Sequence, residues 1–373
     1  MTDGHDYDDR IARVRRKMAE RGLDAFLVTV AENRRYLSGY TADDTQFDET
    51  AGALLMTQDR LMLATDARFE LQAQREAPAF EPLIYKKGLE KELPAILAVL
   101  KTGRLGFESV RFSVKQLEIL RAALSEDGSP VETASTEGIV EDLRLKKTET
   151  EIEAVRRALV LAESAFRRVL SDAVAGCTEA ELAWKLECAL RESGAEGLSF
   201  DIIVAAGPNA ALPHAVPGDR KIAEGEPVLF DWGAKLHGYC SDISRTVVFG
   251  EPDDTFARVF AAVRDAQQKA LEAIRPGVSG KAVDKAARDH IEKCGFGGRF
   301  GHGLGHGAGL AIHEAPRLSP VRDDILEPGM LFTVEPGVYL PDWGGVRLEN
   351  MVVLRDDGPE VLNEMPVALP RMG

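Results

Sequence analysis

Residues Val228 to Asp242 read VLFDWGAKLHGYCSD: an apolar strand-like run, glycines at 233 and 238 that supply turn chemistry, and a carboxylate on either side of the connection. In a hairpin with an even-numbered loop, residues an odd number apart sit opposite each other on one face. The eleven-residue separation therefore predicts Asp231 and Asp242 as cross-strand partners. Opposed Cβ atoms lie roughly 4.5–5.5 Å apart, where two bare carboxylates repel by about 4 kcal/mol at an effective dielectric of about 20. Something cationic is expected between them.

Around this hairpin, helix-period and strand-like segments alternate in pairs. Ile152, Val155, Leu159, Ala162 and Phe166 recur at helical spacing, and Thr178-Glu-Ala-Glu181 is a capping box that opens a second helix. Two further helices are expected from about Asp254 to Ala273 and from Ser279 to Lys293. Strand-like pieces cover Phe200 to Ala205, Val228 to Trp232, Thr246 to Phe249, Leu331 to Val334 and Val346 to Leu354. The order is not a strict βαβ alternation, which predicts an α+β domain with a mainly antiparallel sheet. Before it, an amphipathic helix from Tyr7 to Arg21, strands at Asp24 to Val30, Gly52 to Met56, Arg60 to Ala64 and Leu105 to Phe107, and helices at Arg68 to Arg75 and Val114 to Leu124 suggest a smaller α/β domain on a mixed sheet. The pattern changes near Arg144, so the expected domains are residues 1–143 and 144–373. The acidic stretch Ala42 to Thr50 reads as a solvated loop, with the sharper alternative that it reaches a substrate ammonium on a neighbouring subunit.

The whole chain narrows the function classes. With 373 residues, 45% apolar and 29% charged, it has the composition of a soluble globular protein. A formal net charge of −15 argues against nucleic acid or an anionic membrane as partner. The acidic start MTDGHDYDDR lacks the features of a signal peptide, and a cytoplasmic place is expected. Four scattered cysteines without a CxxC pair read as free thiols.

Four further clusters can carry chemistry: His214 in ALPHAVPGD; His302, His306 and His313 in GHGLGHGAGLAIHE; Glu335 in TVEPGVY; and Arg347 with Glu349 in GGVRLEN. Taken alone, each is weak, because a lone His or strand carboxylate is more often structural. Alternate glycines from Gly301 to Gly309 would weaken an ordinary helix or strand, so the backbone there is expected to need close approach or unusual dihedrals. The spacing is not HExxH, and no apolar strand precedes the glycines as a dinucleotide site requires. If Asp231, Asp242, Glu335 and Glu349 point into one cleft with one imidazole, their four negative charges are balanced by two divalent cations, with one hydroxide bridging them. Oxygen-rich ligation with one histidine suits Mn²⁺, with Co²⁺, Fe²⁺ or Zn²⁺ as the other options.

Asp231, Asp242, His306, Glu335 and Glu349, in this order and within these motifs, resemble the pita-bread metallopeptidases: methionine aminopeptidase, aminopeptidase P and prolidase. The N-terminal part, including Asn33-Arg-Arg-Tyr-Leu-Ser-Gly39, resembles a creatinase/prolidase-type N-terminal domain, and FDIIVAAGPNAALPHA is similar to the Xaa-Pro branch. The resemblance implies a pita-bread catalytic domain and hydrolysis of small peptides with proline at the second position, by a homodimer. It implies that Asp231 chelates one metal, that Asp242 and Glu349 bridge both, and that His306 and Glu335 complete the coordination. Glu335 would shuttle the proton from the bridging hydroxide to the leaving proline nitrogen. His214 and His313 would stabilise the tetrahedral intermediate, and His302, Tyr339 and Arg347 would bind or border the substrate. On the same scaffold the alternatives are a binding or chaperone protein without metal ligands, creatinase-like amidinohydrolysis, and a lyase; each departs from the ligand set kept here. Prolidase and aminopeptidase P remain open against each other.

Overall fold

The computed structural model describes residues 4–44 and 50–368. Residues 45–49 of the acidic Ala42 to Thr50 loop lie outside the described residues. The chain divides into two compact units, Met1–Arg144 and Leu145–Gly373. Among the described residues no helix is long and apolar enough to cross a membrane.

The N-terminal unit holds a six-stranded mixed sheet in the order Glu81–Ile84, Leu61–Thr65, Ala53–Thr57, Ala25–Val28, Arg104–Glu108, Glu132–Thr136. Two of its pairings are antiparallel and three parallel. Ala25–Val28 and Ala53–Thr57 are buried along their whole length, so they show no alternation and read only as apolar runs. Three helices flank the sheet as expected, at Gly4–Glu20, Glu70–Glu76 and Val114–Glu126. Helices Ala31–Ser38 and Leu89–Val99 and the strands Glu81–Ile84 and Glu132–Thr136 were not legible. The first helix buries Asn33 and Arg34 beside Tyr36 and Leu37, and the second carries Pro94 inside it.

The C-terminal unit is the expected α+β arrangement. Its four long helices, Glu149–Ser171, Glu179–Glu192, Asp254–Ala273 and Gly280–Ile291, start on side-chain caps at Thr148, Thr178, Asp253 and Ser279. The first two caps are complete capping boxes, so a local signal of four residues sets where those helices begin. Strand Pro227–Trp232 lies between Ile203–Ala206 and Ile243–Val248 in a three-stranded antiparallel sheet. Trp232 stacks on Phe166 of the first helix at 4.1 Å and donates its indole N–H to Ala162 O. A second, six-stranded antiparallel sheet runs Arg322–Asp323, Glu314–Ser319, Gly305–Gly307, Leu331–Val334, Asn350–Arg355, Gly358–Val361. Val259, Val263 and Ala266 of the third helix pack with Phe332, Val334 and Val352 of that sheet in one buried core.

The Val228 to Asp242 hairpin extends outward to Val248, and its register differs from the expected one. Lys235 pairs with Cys240 and Leu236 with Tyr239 around the turn at His237 and Gly238, both with positive φ. Further out, Asp231 pairs with Ser244 and Trp232 with Ile243. Asp242 is therefore not the cross-strand partner of Asp231; it stands two places along the opposing chain from Ser244, a diagonal neighbour on the same face. The reason is where the turn falls: the two-residue turn at His237 and Gly238 sets one register through both pairs of strands, which puts Asp242 level with Gly233. At Gly233 a Cβ would sit 2.0 Å from Ser241 O, so the two chains close on each other there, and Asp242 lies between strands Tyr239–Cys240 and Ile243–Val248.

Candidate metal centre

The single strand expected over Val346 to Leu354 is two strands in different sheets, Gly344–Arg347 and Asn350–Arg355, and Glu349 lies in the gap. Its backbone N–H donates to Ser244 O, which ties the gap to the three-stranded sheet. Glu335 likewise sits just past Leu331–Val334, where Pro336 cannot continue the ladder. Three of the four expected carboxylate ligands thus project from strand breaks, while Asp231 projects from within a strand. His306 lies in the three-residue strand Gly305–Gly307, and the register shifts after it. A Cβ at Gly305 would stand 2.0 Å from Thr333 O, and one at Gly307 would stand 2.1 Å from Ala315 O. Close approach of neighbouring strands, not positive φ, is what this glycine run supplies.

One ligand atom each from Asp242, His306 and Glu349 lies within 4.8 Å of the others. His306 Nε2 stands 3.5 Å from Asp242 Oδ2 and 3.3 Å from Glu335 Oε1. Its Nδ1 is 3.1 Å from Gly307 O, an acceptor, so Nδ1 carries the proton. Burial, with His313 beside it, pushes the imidazole down to about 3, so it is neutral at ordinary pH. A bare Nε2 lone pair then faces two carboxylates, an arrangement that a shared cation turns from repulsive to attractive. Asp231 Oδ1 and Glu349 Oε1 are buried with no hydrogen-bond partner. Burial and then the neighbouring carboxylates raise Asp242 and Glu349 well above the ordinary range, and burial raises Glu335 to about 7. Oxygen donors, a neutral imidazole and two orphaned carboxylate oxygens fit a divalent ion.

The surroundings fix these groups. Arg347 Nη2 donates to Asp231 Oδ2 at 2.6 Å, its Nε donates to Ser244 Oγ, and Ser244 Oγ donates to Glu349 Oε2 at 2.8 Å. Thr333 Oγ1 donates to Glu335 Oε1 and accepts from His306 N. Ser244 and Thr333 were missed in the sequence; Ser244 becomes visible only with the correct register.

A cavity of about 640 Å³ opens over the cluster, lined by all five expected ligands and by His214, His302, His313 and Arg347. The rings of His306 and His313 meet edge-on at 4.4 Å. Tyr339 does not line the cavity. Its hydroxyl is 2.8 Å from His302 Nε2 and accepts from Arg347 Nη1, so it braces the wall and is not placed to touch a substrate. Arg347 is also committed, with Pro213 O as a further acceptor. Arg317, Ser319, Phe200 and Asp201 line the cavity unforeseen. The Arg317 guanidinium has no hydrogen bond or ion pair among the described residues.

A family model described as metallopeptidase family M24 matches residues 153–356, and one described as the creatinase/prolidase N-terminal domain matches residues 10–146. A relative named uncharacterized peptidase YqhT, from Bacillus subtilis, is 37% identical over 96% of this chain and 99% of its own length. Among solved structures, an Xaa-Pro dipeptidase from Bacillus anthracis matches at TM-score 0.90 and 38% identity over 97% of this chain and 99% of that one. An X-Pro aminopeptidase from Thermotoga maritima matches at TM-score 0.84 and 36% identity over 94% and 98%.

Proposed function

The chain belongs to metallopeptidase family M24, and from that premise we propose that it hydrolyses Xaa-Pro dipeptides with two divalent ions held by Asp231, Asp242, His306, Glu335 and Glu349. The observation that carries the metal reading is the pair of buried, unpartnered oxygens, Asp231 Oδ1 and Glu349 Oε1, in the one cavity where the His306 lone pair faces Asp242 and Glu335. When bound, the ions would supply Lewis-acid polarisation of the scissile carbonyl and an activated water. Mn²⁺ suits the oxygen-rich set.

The chain's own residues account for the remaining demands. Glu335, held by Thr333 and raised to about 7 by burial, can take a proton and give it to the leaving proline nitrogen near neutral pH. His214 and His313 line the same cavity and offer ring N–H donors to the charge that develops on the carbonyl oxygen. Burial and then Arg317 lower His313, so its ring is neutral and carries one N–H. Arg317 supports the dipeptide over the longer substrate: a guanidinium without a protein carboxylate in a cavity of this size suits the terminal carboxylate of a short peptide. The native ion and a homodimeric assembly belong to the same reading, and elemental analysis and sedimentation check them.

The test is an assay of Xaa-Pro dipeptides against Xaa-Pro-Xaa tripeptides with and without Mn²⁺. Preference for the dipeptide supports the reading, and faster turnover of tripeptides selects an aminopeptidase instead. No cleavage of either, with no metal taken up at stoichiometric Mn²⁺, would sink the hydrolase itself.

A further inference from the structure

Helix Gly280–Ile291 sends neither Asp284 nor Arg288 to the cavity, yet it grips the segment that brings His302 there. Asp284, buried to 1% exposure, accepts from Arg288 Nε on Oδ2 (2.9 Å) and from Arg288 Nη2 on Oδ1 (2.8 Å). Arg288 also donates to two backbone carbonyls, Phe300 O at 2.6 Å and His302 O at 2.8 Å, and lies 4.2 Å from the centroid of the Phe300 ring. Asp284 Oδ1 accepts the Leu304 N–H at 3.0 Å. One Asp-Arg pair thus holds three successive even-numbered positions of a segment that has glycine at 297, 298, 301 and 303 and belongs to no strand or helix. Such a backbone has little conformational preference of its own, so its placement comes from these bonds.

The contacts continue inward. His302 Nδ1 donates to Gly303 O, which leaves Nε2 to accept from the Tyr339 hydroxyl. Tyr339 oxygen accepts from Arg347 Nη1, and Arg347 Nη2 donates to Asp231 Oδ2. Tyr339 N–H donates to Arg299 O, a second tie between the same two segments. We infer that Arg288, locked by Asp284, is a positioning residue for the metal centre, acting through His302, Tyr339 and Arg347 on Asp231. The inference rests on Asp231 being a metal ligand. Arginine is required because its planar fork serves the carboxylate and two carbonyls at once, whereas a lysine ammonium keeps the charge and loses the fork.

The test uses Arg288→Lys, Tyr339→Phe and the double variant of the full chain, with Asp284→Asn in place of Arg288→Lys should that protein fail to fold. Mn²⁺ titration by calorimetry reads the dissociation constant, and hydrogen exchange reads residues 299–304 and 337–347 in metal-free protein. Each single variant is expected to weaken Mn²⁺ binding roughly tenfold to hundredfold, as outer partners of ligands commonly do. The double variant should be no weaker than the weaker single, because both cut one chain of contacts. Arg288→Lys should speed exchange in both segments. Losses that multiply in the double variant, or exchange that accelerates in 299–304 alone, overturn the inference. Should the wild type take up no Mn²⁺, the metal reading fails by itself, and the exchange pattern still decides the coupling between the two segments.

Discussion

Two buried carboxylate clusters, one in each unit of the chain, are treated differently. In the N-terminal unit, Glu108 is 3% exposed, and both of its oxygens are satisfied: Oε2 accepts from Thr29 N and Val30 N, and Oε1 accepts from Asn33 Nδ2. Asn33 donates also to Glu141 and accepts from Arg144, so the cluster is closed by protein donors. In the C-terminal unit, Asp231 Oδ1 and Glu349 Oε1 are buried with no donor for either, and both residues line the cavity that His306 also lines. Burial of a carboxylate therefore does not mark a site. A buried carboxylate oxygen left without a donor does, because its desolvation stays uncompensated until a cation or proton arrives.

That contrast can be broken at several points. The largest effect is expected at Glu335, which is both a cluster member and the proton carrier: Glu335→Ala should lower kcat on an Xaa-Pro dipeptide by at least about a thousandfold with the circular dichroism spectrum unchanged. Activity within tenfold of wild type would remove it from the mechanism.

Next, Glu349→Gln and Glu108→Gln should separate the open cluster from the closed one. Saturating Mn²⁺ at about 100 times its dissociation constant stabilises a native protein by about 2.7 kcal/mol. The Glu349→Gln protein should lose that metal-induced rise in melting temperature yet melt no lower than wild type without metal, since a crowded buried charge is gone. Glu108→Gln should keep the metal response and melt lower, by an amount equivalent to about 1–3 kcal/mol, because one amide group then faces donors. The opposite pattern would reverse the assignment of which cluster is structural.

At Arg317, the loss should fall on substrate capture: Arg317→Gln is expected to raise KM for a dipeptide tenfold or more, roughly 1.4 kcal/mol or above, and to leave a C-terminally amidated substrate unaffected. Equal losses on both substrates would detach Arg317 from the terminal carboxylate.

The gentlest test is pH. Burial, then the neighbouring Glu141, raises folded Glu108 to about 7 from an ordinary 4.5, with its hydrogen-bond donors opposing. Between those values the native state binds more protons than the unfolded chain, so stability from this group is present below about 4.5 and is lost as pH rises toward 7. Urea melts from pH 5 to 8 should show this decline, of order 3 kcal/mol at most, and Glu108→Gln should flatten it. A wild-type profile as flat as the variant's would show Glu108 ionised throughout.

What could be read along the chain was whatever a few neighbouring residues decide. Thr148 and Thr178 open their helices through contacts three residues away, and the run over Asp254–Ala273 keeps one apolar face, so these helices are legible as periodicity and caps. Hairpin parity likewise places Asp231 and Asp242 on one face. Helix Ala31–Ser38 escaped because Asn33, Arg34 and Ser38 are buried beside Tyr36 and Leu37 and break the apolar periodicity, and Asn33 earns its burial from Glu108, Glu141 and Arg144, residues far along the chain.

At the centre, VLFDWGAKLHGYCSD on its own determined a turn, two strands and two carboxylates sharing a side. Only the tertiary structure decided that Asp231 faces Ser244 and takes Arg347 as its counter-ion, that Asp242 and Glu349 leave their ladders at breaks, and that Arg317 turns into the cavity. The physical reason is register and approach: a one-residue shift in where the turn falls, here at His237 and Gly238, moves every cross-strand partner by two, and how closely strands approach, as at Gly305 against Thr333, belongs to pairs of strands and not to any one of them.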